Sequence, residues 1–209
     1  MDKTQIAIGI FDKLATGYQD KFMDVSLYGD SFDFFLSRLN QTASILELAY
    51  GPGNITKHLL DKRPDLKILG TDLSPNMLRL AKNNNPTAEF KLMDCRALDS
   101  LNETYDAIMC GFCLPYLSKE DSIQLIADSV KVLDSKGSIY ISTMEDDYSN
   151  SKFEKGSSGD EIFMHYHEES YLTKALTDNG FKVLFLDRKR YESGGKPVVD
   201  LIIIAEKLN

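Results

Sequence analysis

Seven short apolar runs, at residues 44–49, 67–71, 89–93, 105–110, 138–143, 181–186 and 198–205, constrain the fold of this chain more than any other feature. Each is rich in Ile, Leu, Val or aromatic residues and is bounded by Gly, Pro, Asn or Asp, so each reads as a buried strand. Helix-like stretches lie between them. One covers residues 54–62, and a second opens at Ser74 with Pro75 in the first helical position. A third starts at Ser118 with Glu120 and Asp121 in its first turn, and its apolar face is expected from Ile123, Ile126, Ala127, Val130, Val132 and Leu133. A fourth covers residues 168–178 and stops at Asn179-Gly180, a left-handed cap signal. Strands joined through helices pair in parallel and are covered on both faces, so the fold class is α/β. The last two runs are joined by residues 193–197 without a helix, so they pair antiparallel, and their turn is expected to lie far from a site elsewhere on the sheet.

Residues 1–40 carry no strand signal and read as one or two helices, a cap on a domain of residues 41–209. Phe11, Tyr18, Phe22, Tyr28, Phe32, Phe34 and Phe35 give this segment more apolar surface than a solvated tail carries. Helices flanking a parallel sheet leave its carboxyl edge open, and the aromatic segment is expected to fold over that edge. Residues 145–160, rich in Ser, Gly and Asp, read as one long loop.

The 209 residues include 32 acidic and 24 basic side chains, a net charge of −8. A chain of this size buries about 70 % of its unfolded surface, enough for one core. The acidic surplus argues against a phosphate-neutralising surface, so neither nucleic acid nor an anionic membrane is an expected partner. Arg188-Lys189-Arg190 reads as a solvated strand end. No window approaches the roughly 18 apolar residues of a spanning helix, and no apolar leader follows Met1. The odd set Cys95, Cys110 and Cys113 does not suit a disulfide framework, so a cytoplasmic protein, monomer or homodimer, is expected. Cys110-Gly111-Phe112-Cys113 has no second Cys pair and reads as structural thiols rather than a zinc site.

Chemistry concentrates in Ile45-Leu46-Glu47-Leu48-Ala49-Tyr50-Gly51-Pro52-Gly53-Asn54-Ile55-Thr56, where a strand ends, a turn holds two glycines and a helix begins. Gly51 and Gly53 let the backbone approach a ligand, and the helix start offers free N–H groups. Asp72 ends the second run, where a carboxylate meets ribose hydroxyls. A dinucleotide fingerprint would place glycine at Thr56, and a phosphate loop would follow Gly53 with Lys. Glu47 would repel a pyrophosphate but suits a cation. The expected ligand therefore carries ribose and an ammonium or sulfonium, without phosphate.

From residue 44 onward the chain resembles the class I S-adenosylmethionine-dependent methyltransferases. The glycine turn resembles their first motif, Asp72 their ribose-binding acid, and Met93-Asp94-Cys95-Arg96 the segment whose acid meets the adenine amino group. Tyr105-Asp106-Ala107-Ile108-Met109-Cys110-Gly111 resembles their fourth strand, Leu133 through Gly137 to Ile141 their fifth, and His167 to Phe181 the closing helix. The resemblance implies a seven-stranded Rossmann-like sheet of order 3-2-1-4-5-7-6 with strand seven antiparallel. It implies S-adenosyl-L-methionine as cofactor, held by Glu47, Ala49, Gly51, Gly53, Asp72, Leu73, Met77, Asp94 and Cys95. Tyr18, Cys110 and Phe112 complete the implied set. The family usually has glycine at the Ala49 position, and alanine fits there if its backbone avoids the left-handed region.

After the fourth strand no Asn/Asp-Pro-Pro-aromatic motif appears, which disfavours methylation of nucleic-acid bases. The expected activity is methyl transfer to a small-molecule acceptor, with Tyr116, His165 and His167 as catalytic candidates, although the two histidines read first as structural or capping residues. The alternative is a catalytically silent nucleoside-binding module of the same fold. No metal is expected, because Gly111 stands where metal-dependent relatives carry an acid. His58 is expected at the surface.

Overall fold

The structure is a computed structural model that describes residues 3–156 and 159–208. Two helices lead, α1 (Lys3–Phe22) and α2 (Gly29–Ser37), followed by β1 (Ser44–Leu48), α3 (Asn54–Lys62), β2 (Lys67–Asp72), α4 (Pro75–Asn84) and β3 (Glu89–Leu92). Then come β4 (Tyr105–Gly111), α5 (Lys119–Val132), β5 (Leu133–Met144), β6 (Lys152–Lys155) and β7 (Glu161–Met164). The described chain closes with α6 (Glu169–Asp178), β8 (Phe181–Ser193) and β9 (Lys196–Lys207). Seven strands form one sheet in the order β3-β2-β1-β4-β5-β9-β8. The first five pair in parallel, and β9 runs antiparallel between β5 and β8. This is the expected topology, with the last two strands renumbered by an inserted pair.

Local chemistry sets the helix ends. Ser74 Oγ accepts the Met77 N–H at 3.1 Å, and Pro75 begins α4 where its missing N–H costs nothing. Ser118 Oγ accepts the Asp121 N–H at 3.0 Å, and Gly180, at φ 79°, ends α6. The strands alternate across the sheet. Leu46, Leu48, Ile108, Cys110, Ile139 and Ile141 face α5 and α6, while Ile45, Ile68, Met109, Tyr140 and Ile202 face α2 and α3. A separate cluster of Ala15, Tyr50, Met77, Ala81 and Phe90 holds α1 against α4.

Four expectations change. Residues 145–160 are not one loop, because β6 lies within them and pairs antiparallel with β7. The face of α5 is Leu125, Ile126 and Val132 with the small Ser122 and Ser129, while Ile123 is 37 % exposed. The final hairpin runs on to Ser193 and Lys196, well past the apolar runs, because its polar half is paired along both strands. Arg188 is no solvated strand end: it bonds Glu145 Oε1 at 2.7 Å and Glu169 Oε2 at 2.5 Å. Those bonds tie the end of β5 and the start of α6 to β8.

Candidate functional site

A cavity of about 480 Å³ opens at the carboxyl edge of the parallel strands, a size suited to a small-molecule site. Its floor is the turn after β1. There the chain reverses through Ala49 at φ 52°, Gly51 at φ 55° and Gly53 at φ 76°. Ala49 thus adopts the left-handed conformation expected to be avoided, at a cost of about 1–2 kcal/mol for an L-residue. Ala49 and Gly51 lie in the cavity wall; a Cβ added to Gly51 would sit 3.8 Å from Tyr18 Cε1. Gly53 is not in the wall. A Cβ there would come within 2.4 Å of Asn85 Nδ2 and 3.2 Å of Ala81, so this glycine serves the packing of α3 on α4.

Two carboxylates define one end of the cavity. Asp72 Oδ2 accepts the Gly51 N–H at 3.0 Å and Oδ1 accepts the Ser74 N–H at 2.9 Å, which fixes the carboxylate between the turn and α4. Each oxygen keeps a lone pair for a hydroxyl donor. Burial raises the Asp72 carboxyl above its usual range despite these amides. Glu47, 1 % exposed, accepts the hydroxyl of Thr56 through Oε2, and burial pushes its carboxyl up to about 8. No basic side chain of the described residues is ion-paired with it. Thr56 stands where a dinucleotide site would need glycine, and its hydroxyl is what holds Glu47.

Leu73, Met77, Met93, Asp94 and Cys95 line the side of the cavity nearest β2 and β3. Asp94 is engaged by Arg96, whose Nη2 donates to Oδ2 at 2.7 Å. Burial is the largest single influence and opposes ionisation of this carboxyl, but the Arg96 guanidinium, the Arg96 N–H and the Cys95 thiol together outweigh it and hold the carboxyl below its usual range. Cys113 Sγ lies 3.4 Å from Cys95 Sγ, and all three cysteines are free thiols. Cys110 is not in the wall; its side chain lies in the core with Ile108 and Ile141. Phe112, at φ 52°, is held by its N–H to Ser142 O at 3.1 Å and projects into the wall.

The roof comes from α1. Phe11, Tyr18 and Phe22 line the cavity, and Phe11 packs edge-on against Tyr116 at 4.8 Å. Burial, then Asp72, pushes the Tyr18 phenol up to about 12. Asp12 Oδ1 accepts from Ser74 Oγ at 2.7 Å and from the Asn76 N–H at 2.9 Å, pinning α1 to the start of α4. Beyond Phe112 the wall continues through Tyr28, Met144, Tyr191, Ser193 and Asp200. The hairpin turn is therefore no distant reference, since Ser193 beside it lines the cavity. Sequence reasoning missed Asp200 and Tyr191. The signal was present: one carboxylate inside the apolar run Val198-Val199-Asp200-Leu201-Ile202.

Tyr116 lies in the wall, whereas His165 and His167 do not. His167 Nε2 lies 2.8 Å from Leu114 O, its Nδ1 meets the Tyr171 hydroxyl, and burial lowers its imidazole to about 4. The His165 N–H donates to Pro115 O at 2.8 Å, and its ring stacks on Tyr148. Both residues brace the turn at Leu114–Tyr116 from behind. His58 is half-buried against Phe32, with centroids 5.1 Å apart, and not a surface residue. Among the described residues no group of three or more His, Cys, Asp or Glu side chains could hold a metal ion. No helix among them is long and apolar enough to cross a membrane.

Residues 45–137 match a family model described as a methyltransferase domain. The chain is 30 % identical over 118 residues to a putative methyltransferase of Invertebrate iridescent virus 6, covering 52 % of this chain and 44 % of that protein. It spans from a third to less than half the length of the first curated relatives it matches. Among solved structures, the 1,6-didemethyltoxoflavin-N1-methyltransferase of Burkholderia thailandensis superposes with a TM-score of 0.73 at 17 % identity, over 98 % of this chain and 88 % of that one. The magnesium protoporphyrin IX methyltransferase of Synechocystis PCC 6803 superposes with a TM-score of 0.71 at 15 % identity, over 99 % and 98 %. Family match and sheet order agree: residues 45–137 match a methyltransferase domain, and the seven-stranded sheet has the fold of the solved methyltransferases.

Proposed function

We propose that this protein binds S-adenosyl-L-methionine and transfers its methyl group to a small-molecule acceptor. The observation that carries the reading is the pair of buried carboxylates around the glycine turn. Asp72 is held by two amides with lone pairs to spare, and Glu47 is buried without a cation. A ribose and an amino-acid ammonium supply what each lacks. When bound, the cofactor contributes an electrophilic methyl group. The chain's own residues then have three tasks: to hold donor and acceptor in line, to exclude water, and to accept a proton where the acceptor carries one.

Residues 1–40 act as the cap in this reading, because α1 roofs the cavity and excludes water. Space beyond Phe112, past the donor end, is where an acceptor binds, and a silent nucleoside-binding module would have no use for it. The structures of similar fold include a methyltransferase solved with bound S-adenosylmethionine and others acting on small molecules by their names. The test is calorimetry with S-adenosylhomocysteine. A charge-assisted bond is worth about 1.5–3 kcal/mol, so Asp72→Ala should weaken binding about tenfold to a hundredfold while the protein stays folded. Unchanged affinity in a folded variant refutes the ribose assignment.

A further inference from the structure

Asp200 lies on β9 opposite Met144, in the wall of the cavity yet 0 % exposed. From β1, which carries Glu47, the sheet passes through β4 and β5 before β9, so Asp200 sits three strand spacings, about 14 Å, across the sheet from the donor's acid and four residues further along it, since the row of Glu47 meets β9 at Ile204. The donor site therefore has no use for it. Tyr28 donates its hydroxyl to Asp200 Oδ2 at 2.7 Å, and the Tyr191 hydroxyl bears on the same carboxylate. Oδ1 is buried with no hydrogen-bond partner, and no ion pair to Asp200 exists among the described residues. An unpaired carboxylate in such a place is costly, since its hydration is lost and no cation replaces it.

Aromatic rings surround that carboxylate. The Tyr28 and Phe112 centroids lie 5.2 Å apart at 60°, forming a corner whose ring faces attract a cation. Phe112 contributes to the corner from a left-handed backbone, φ 52°, a conformation that costs energy and persists only where the surroundings hold it. Tyr191, 38 % exposed on β8 near the hairpin turn, is the more exposed of the two tyrosines at Asp200.

Resting on the methyl-transfer reading above, we propose that Asp200, with Tyr28, Phe112 and Tyr191, forms the acceptor site and selects a protonated primary or secondary amine on an apolar body. The ammonium fills the missing charge at Oδ1, and its apolar body lies among the rings. Asp200 then takes one proton from the ammonium: an N–H bond breaks, an O–H bond forms, and the nitrogen regains the lone pair that methyl acceptance requires. The neutral carboxylic acid still accepts from Tyr28, and its proton passes to water when the site next opens.

The test uses phenethylammonium and its neutral isostere 2-phenylethanol, titrated into the full chain near neutral pH with and without S-adenosylhomocysteine, and followed by ligand-observed NMR. The amine should bind about tenfold to a hundredfold more tightly than the alcohol. Asp200→Asn keeps the shape and the acceptor for Tyr28; it should bring the two probes to parity and leave S-adenosylhomocysteine affinity unchanged. Tyr28→Phe keeps the carboxylate and should preserve the preference. Equal binding of amine and alcohol, binding of neither up to millimolar concentration, or a preference that survives in Asp200→Asn overturns the proposal. Wild-type protein alone supplies the first two readouts, even if a variant fails to fold. A chain that prefers the amine but does not bind S-adenosylhomocysteine leaves this site standing and removes the methyl-transfer reading.

Discussion

Replacing Glu47 with Gln removes a titratable carboxyl that the fold buries to 1 % exposure while keeping an acceptor for the Thr56 hydroxyl. In the wild-type protein burial lifts this carboxyl from the ordinary 4.5 to about 8. Between those values the folded state retains a proton that the unfolded chain has released. Stability is therefore full below pH 4.5 and is lost as pH rises through 8. The half-buried and buried imidazoles His58, His165 and His167, all lowered by burial, act in the opposite sense; their effect fades above pH 6.5, is common to wild type and Glu47→Gln, and cancels in the comparison. From pH 6.5 to 8 the Glu47 effect stands clear of them: one and a half pH units at about 1.4 kcal/mol each, or about 2 kcal/mol. Urea unfolding at the two pH values should show wild type losing about 2 kcal/mol more than Glu47→Gln over this interval. The same proton must leave before an ammonium can pair with the carboxylate. S-adenosylhomocysteine should thus bind wild type about tenfold more tightly at pH 8 than at 6.5, and methylthioadenosine, which lacks the ammonium, should show no such trend. An identical pH slope in the variant and wild type would mean Glu47 is ionised in the unliganded fold, and the reasoning from burial would fail.

Ala49→Gly relieves the left-handed alanine at φ 52° but adds chain entropy, so a gain of about 0.5 kcal/mol is expected in thermal unfolding. His167→Gln should destabilise by about 1–3 kcal/mol through loss of the bonds to Leu114 O and Tyr171. It should also remove the share of His167 from the fall in stability as pH drops from 6.5 through about 4, leaving a shallower slope from His58 and His165, and leave S-adenosylhomocysteine affinity within a few-fold of wild type. Amide hydrogen exchange on saturation with S-adenosylhomocysteine should slow in residues 11–30, which carry the cavity's aromatic roof, and leave α6, which lines no part of it, unchanged. Equal rates in residues 11–30 with and without ligand would show that the roof is fixed core and not a cover.

Strand positions, helix starts and the donor end of the cavity were legible in the sequence because each depends on residues close together along the chain. Period-two and near-continuous apolar runs mark strands that are buried whatever their neighbours are. Ser74-Pro75 and Ser118 cap helices through atoms within three residues. The turn at Gly51 and the acid at Asp72 are both strand ends, which a parallel sheet necessarily brings to one edge. Other features depend on where the elements meet. Gly53 looks like a ligand glycine until Asn85 and Ala81 occupy the space over it. His165 and His167 look like a catalytic pair until β7 carries them behind the turn at Leu114–Tyr116. Tyr28 meets Asp200 across 172 positions, and only the placement of β9 beside β5, with α2 across the sheet face, makes that contact. Local spacing encodes backbone conformation, whereas a buried carboxylate's partners, and whether it has any, follow from strand order and hairpin length, which bring distant residues to one cavity wall.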